Sequence, residues 1–156
     1  MSKSLKRVVA ALQAAGLDGT VLEMGTETRT AQQAADAAGC ALDQIAKSII
    51  FRDEGSGAAV LFLTAGGNQV DAAKASAVAG APLGKADATL IRAQTGFAIG
   101  GVSPVGHLTP IRAWCDPRLM AFDTVYGAAG TPRHIFPIAP PELLRLSGAV
   151  LADFTG

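Results

Sequence analysis

The stretch Gln44-Ile45-Ala46-Lys47-Ser48-Ile49-Ile50-Phe51-Arg52, followed by Ala58-Ala59-Val60-Leu61-Phe62-Leu63-Thr64, decides the fold. β-Branched, aliphatic and aromatic side chains dominate both segments, a composition that predicts two strands. Asp53 to Gly57 between them consists of turn formers and predicts a hairpin. Strand alternation puts Lys47 on the same face as Ile45, Ile49 and Phe51. A lysine on an apolar strand face is uncommon, because burying an unpaired ammonium costs several kcal/mol. Lys47 therefore needs a partner. It can be a substrate phosphate or carboxylate, or water reached by snorkelling from the strand's first turn.

Working upstream, Leu5, Val8, Val9 and Leu12 recur at helical spacing. They predict an amphipathic helix capped by Ser2 or Ser4 and ended by Gly16. Lys3, Lys6 and Arg7 lie on or beside its polar face. Val21 to Met24 reads as a short strand. Thr30 followed by Gln33 is a capping box that opens a helix ending at Gly39. A short helical turn near Asp43 to Ile45 leads into the first decisive strand.

Downstream, Asp71 caps a helix ending at Gly80, and Asp87 caps another ending near Gly96. Phe97 to Ile99 then runs into a Gly/Pro-rich loop, Gly100 to Gly106. Strands follow near Ile111 to Cys115, Thr124 to Tyr126 and His134 to Ile138. Pro140 and Pro141 start a last helix where a missing N–H costs nothing, and Gly148 ends it. Strands and helices interleave without strict βαβ alternation, which predicts a mixed α+β fold with a mixed sheet.

The 156 residues fit one domain, 1–156. Hydrophobic residues make up 49% and mean hydropathy is +0.33, which excludes a disordered chain. Thirteen basic and 13 acidic residues balance, so bulk charge does not hold this chain to nucleic acid, although a local basic patch stays open. Cys40 and Cys115 have no metal-ligand spacing and suit a reducing compartment. Met1 to Leu12 lacks the apolar run of a secretory signal, and no run reaches the ~20 apolar residues of a membrane span. The expectation is a cytoplasmic protein.

The chain has no G-x-S-x-G elbow, no P-loop and no G-x-G-x-x-G following a strand. Its two histidines, His107 and His134, are too few for a multi-histidine metal site. Cys115 could pair with either, but no local signature supports a nucleophile, and buried free thiols are the simpler reading. The remaining feature is Gly100-Gly101-Val102-Ser103-Pro104-Val105-Gly106-His107. Its glycines let backbone N–H groups point into a pocket, and Pro104 stiffens it. Such a loop can bind an anion or form an oxyanion hole; by composition alone it can equally be a wide turn.

Gly96-Phe97 running into Gly100 to His107, with Gln44 to Phe51 upstream, resembles the YbaK/prolyl-tRNA-synthetase-associated domain family. The family's G-x-x-x-P loop corresponds to Gly100 through Pro104, and its strand lysine to Lys47. The helix from Thr30 to Gly39, Asp116 after a strand, and the Gly127 to Gly130 turn into His134-Ile135-Phe136 also resemble it, so the likeness covers most of the chain. The resemblance implies a mixed, partly barrel-like sheet flanked by helices. It implies hydrolysis of a mischarged small amino acid from tRNA, most often tRNA(Pro), without metal or cofactor, and an association with prolyl-tRNA synthetase. It assigns catalysis to Lys47, Gly100, Gly101, Ser103 and Pro104, with Lys47 holding the terminal phosphate or orienting the substrate. Ile49, Val102, Gly106, His107 and Arg29 would bind substrate.

An aminoacyl ester is already activated, so a positioned water and oxyanion donors can suffice. His107 could be a base or an adenosine ligand, although a histidine after a turn is more often structural. Ser103 lacks a base partner in sequence and reads as a pocket-lining hydroxyl. Arg29, Arg52 and the Lys3-Lys6-Arg7 group are candidate tRNA contacts, or solvated surface charges. The competing readings are a tRNA- or synthetase-binding module without chemistry, and a different small hydrolase or nucleotide-binding protein on the same fold.

Overall fold

The computed structural model describes residues 2–156; Met1, where the N-terminal reading begins, lies outside them. The order is α1 (Lys3–Ala14), β1 (Leu22–Glu23), α2 (Ala31–Ala38), β2 (Ala46–Asp53), β3 (Ala59–Ala65), α3 (Ala72–Ala79), β4 (Leu83–Lys85), α4 (Ala88–Thr95), β5 (Arg112–Cys115), β6 (Val125–Ala128), β7 (His134–Ile138), α5 (Pro140–Ser147) and β8 (Val150–Leu151). Two 3-10 turns, Leu42–Gln44 and Pro117–Ala121, precede β2 and β6.

Local chemistry explains most of these boundaries. Ser2 caps α1, and Thr30 with Gln33 forms the capping box of α2. The carboxylates of Asp71 and Asp87 accept the N–H groups of Lys74 and Leu90 at the starts of α3 and α4. Helices α2 to α5 each end on a glycine in the left-handed region. Two short strands carry no sequence pattern of their own. β4 exists because it pairs with the end of β2, and β8 because it pairs with β5.

The sheet is mixed, and it is split. One sheet has the order β4-β2-β3-β5-β8, the other β1-β7-β6. β2 and β3 form the antiparallel hairpin, while β3, β5 and β8 run parallel to one another. Among the described residues a single bridge, Ile45 to Tyr126, joins the two sheets, and they do not close into a barrel.

β3 is buried along its whole length, because both faces are covered. Leu61 and Leu63 join a core with Leu5, Val8 and Leu12 of α1, and with Val125 and Phe136 of the smaller sheet. Val60 and Phe62 point the other way, to Trp114, Phe154 and α3. Phe62 stacks on Trp114 with centroids 5.0 Å apart and meets Phe154 edge-on at 4.9 Å. This second core anchors the β2–β3 hairpin, which carries one wall of the site.

Candidate active site

The split between the sheets makes a cleft. Register is constant from Ala46 opposite Ala65 to Arg52 opposite Ala59. At the hairpin end the Asp53 N–H donates to the Ala58 carbonyl at 2.8 Å, while the Glu54 N–H donates to Pro82 on the other side at 3.0 Å. Backbone groups alternate in direction along a strand, so Ala46, Ser48 and Ile50 turn theirs away from β3. β4 pairs only with Phe51 to Asp53. The β2 edge around Ser48 therefore opens toward β6, from which it diverges beyond the Ile45–Tyr126 bridge.

A cavity of about 300 Å³ fills this gap. Residues Ile45 to Ile50 form one wall, and Tyr126 to Ala128 with Thr131, His134 and Ile135 form the other. Thr28 to Ala31 close one end, and Ile99, Gly100 and Val102 the other. The lining is largely aliphatic. Ser48 Oγ is the buried side-chain oxygen among the described residues that has no hydrogen-bond partner.

Of the residues singled out from sequence, Lys47, Ile49, Gly100, Val102 and Arg29 meet at this cleft. Lys47 does share a face with Ile49 and Phe51, opposite Thr64, Phe62 and Val60. Its ammonium finds a partner within the chain, the Asn68 carbonyl at 2.6 Å. Asp116, 3% exposed, accepts from Asn68 Nδ2 at 2.8 Å and from the Ala65 N–H at 3.1 Å, which fixes that turn. Burial lowers the Lys47 pKa, and the nearby carboxylates of Asp116 and Asp43 oppose the shift. Arg29 stands at the rim with its side chain 82% exposed, 3.6 Å from Glu27.

The rest of the loop supports the cleft from behind. Gly100 has φ +96°, a conformation that favours glycine. Gly101 is buried against the next turn, where an added Cβ would lie 2.8 Å from the Thr131 backbone. Ser103 is fully buried, and its Oγ accepts the Val105 N–H at 3.1 Å. Buried Pro104 packs its ring over Gly127 of β6. The Gly106 carbonyl accepts from Arg7 at 2.9 Å.

His107 lines a different hollow, with Arg112 and Arg145. Its Nε2 lies 2.7 Å from the Ser103 carbonyl. A carbonyl only accepts, so Nε2 carries the proton in that bond. Burial pushes the His107 pKa down; the bond to the Ser103 carbonyl opposes the shift, and Arg7 adds a smaller push in the same direction as burial. These contacts place His107 as a brace of the loop.

Ser48, Tyr126 and His134 line the cleft without a sequence signal that marks them as site residues. Ser48 was overshadowed by Lys47. Tyr126 and His134 approach β2 only through the pairing of two distant strands, for which the sequence carries no local signal. His134 Nδ1 lies 2.6 Å from Thr131 Oγ1. Arg7 is the further surprise: it turns from the helix surface onto the loop. Arg52 instead pairs with Glu54 at 3.2 Å on the surface.

Cys115 is buried on β5, its thiol pushed up to about 12 by burial and by Asp116. It is not a nucleophile in waiting. Among the described residues no three His, Cys, Asp or Glu side chains converge as metal ligands would, and no helix is long and apolar enough to cross a membrane.

Comparison with known proteins shows the family and the fold. The sequence profile of the aminoacyl-tRNA editing domain matches residues 26–146. The uncharacterised protein YwhH of Bacillus subtilis (strain 168) is 33% identical over 144 residues, which cover 92% of this chain and 91% of YwhH. A crystal structure of a candidate trans-editing enzyme for prolyl tRNA synthetase is 45% identical, with a TM-score of 0.92 over 100% of this chain and 99% of that one. The hypothetical protein APE2540 is 30% identical, with a TM-score of 0.86 over 96% of this chain and 99% of its own.

Proposed function

Since the chain belongs to the aminoacyl-tRNA editing domain family, we propose that it is a trans-editing deacylase. It hydrolyses the ester between a small, wrongly attached amino acid and the 3′-terminal adenosine of tRNA, with tRNA(Pro) as the carrier. The observation that carries this reading is the meeting of Lys47 and Gly100 at one cleft between β2 and β6. The similarity to a candidate trans-editing enzyme for prolyl tRNA synthetase supports the choice of tRNA.

The amino acid enters the aliphatic cleft. Its size limits what fits, which matters because a synthetase pocket separates neighbours differing by one methylene by only ~1–3 kcal/mol. Water attacks the ester carbonyl, and the oxygen gains negative charge as the tetrahedral intermediate forms. The Gly100 and Val102 N–H groups, which have no protein acceptor among the described residues, stabilise that charge. Collapse expels the ribose hydroxyl and releases the free amino acid. Lys47 has three N–H donors and spends one on Asn68; the other two hold the terminal phosphate. His134 is the imidazole at the cleft; it takes the proton of the attacking water and returns it to the departing ribose oxygen.

The test is release of amino acid from tRNA(Pro) charged separately with alanine, serine, threonine, cysteine and 2-aminobutyrate. Wild type is compared with Lys47→Ala and Gly100→Ala. Fast release of one amino acid, lost in both variants, is the expected result. No release, with tRNA still bound, would leave a binding module as the better account.

A further inference from the structure

Arg7 lies on α1, outside the residues matched by the family profile. Its Nε donates to the Gly106 carbonyl at 2.9 Å and its Nη2 to the Gly96 carbonyl at 2.7 Å. Those two carbonyls bracket the loop that carries Gly100 and Val102. Between them the guanidinium lies over the fully buried Phe97 ring, 4.5 Å from its centroid. One side chain thus ties both ends of the loop to the aromatic plug beneath it. Its planar fork of fixed donors suits two carbonyls at once, and a lysine ammonium does not reproduce that geometry.

α1 also backs the opposite side of the loop. A Cβ on Gly130 would lie 2.8 Å from the Ser4 carbonyl carbon, and the Gly130–Thr131 turn is the surface on which Gly101 rests. The loop is held between these two supports, both supplied by the first two turns of α1.

We propose that Arg7 is a positioning residue for deacylation: by tying Gly96 to Gly106 it fixes the direction in which the Gly100 and Val102 N–H groups point. The role rests on the deacylase reading above. A displacement of ~1 Å in a preorganised site can cost ~100-fold in rate. Arg7→Ala therefore lowers kcat by about 10- to 100-fold while KM moves little. Arg7→Lys falls between the two.

The experiment is turnover of tRNA(Pro) charged with the amino acid that wild type releases fastest, with and without millimolar guanidinium ion. Amide hydrogen exchange is followed in parallel on the same full-length proteins. The expected result is a kcat loss in Arg7→Ala that guanidinium partly restores, with faster exchange at Gly101 and Val105, whose N–H groups are bonded within the loop, and unchanged exchange in β3. Wild-type kcat in Arg7→Ala, or a loss without rescue in which β3 exchange rises equally, overturns the role. If Arg7→Ala does not fold, Arg7→Lys decides, and wild-type kcat there contradicts it. A wild type that releases nothing removes the deacylase reading and this role together. Active wild type with two indifferent variants removes only the role of Arg7.

Discussion

The Lys47 ammonium donates to the Asn68 main-chain carbonyl at 2.6 Å, and the Asn68 side chain is held in turn by Asp116 at 2.8 Å. A carbonyl steadies the ammonium without neutralising it. The ammonium keeps its charge beside the carboxylates of Asp116 and Asp43, and two of its three N–H donors have no partner among the described residues.

Replacing Lys47 by Met removes that charge and keeps the stem. Loss of a charge-assisted hydrogen bond to the substrate phosphate predicts a fall in kcat/KM of about 10- to 100-fold. Asn68→Ala removes one of the two hydrogen bonds that tie the turn to Asp116 and predicts a smaller fall. Single-turnover release measures both, and a Lys47→Met protein as fast as wild type would count against the assignment.

Ser48 predicts opposite signs for stability and activity. Its Oγ is buried and unpartnered at the cleft. An unsatisfied buried hydroxyl costs about 1–3 kcal/mol, so Ser48→Ala gains up to about 1 kcal/mol in urea unfolding after lost packing is offset. Under the deacylase reading the same change takes a polar group from the cleft wall and slows release. A variant that is more stable and equally fast would show that the hydroxyl does not meet substrate.

The two adjacent glycines separate backbone strain from steric clash. Gly100 has φ +96° and open space around a would-be Cβ, so Gly100→Ala costs about 1 kcal/mol of backbone strain. At Gly101 the Cβ meets the Thr131 backbone, which cannot swing aside, so Gly101→Ala costs about 1–3 kcal/mol and moves the loop. Chemical denaturation should rank Gly101→Ala below Gly100→Ala, and the reverse order would contradict the packing described.

His107 gives stability an acid dependence. Burial lowers its folded pKa below the ordinary 6.5, so the unfolded chain binds the proton more readily. Stability is then complete above about 6.5 and declines as pH falls from there through the lowered folded value. His107→Gln should flatten this decline between neutral pH and pH 5 in thermal melts. An unchanged acid slope would remove His107 as its source.

The capped helices and the β2–β3 hairpin were legible because their signals are local. Thr30 with Gln33, Asp71, Asp87 and the aliphatic run from Val60 to Leu63 each specify a conformation within a few residues. The expected mixed sheet is present, but its division into two sheets depends on how β6 meets β2, a contact between residues far apart in sequence. The same distance hid Tyr126 and His134. Lys47 and the Gly100 loop stand out in the sequence through strand alternation and glycine content, family resemblance links them, and the open strand edge beside them carries no such signal. Arg7 read as a surface charge because helical periodicity reports which face is polar, and says nothing of a carbonyl that another loop brings to that face.

The account turns on the aminoacyl end of tRNA entering the cleft between β2 and β6. The direct measurement is a two-dimensional NMR titration of the protein with an amide-linked, non-hydrolysable aminoacyl-adenosine. The account predicts shifts concentrated at Ser48, Gly100, Val102, Tyr126 and His134. Shifts centred instead on the hollow of His107, Arg112 and Arg145, with the cleft silent, would contradict it.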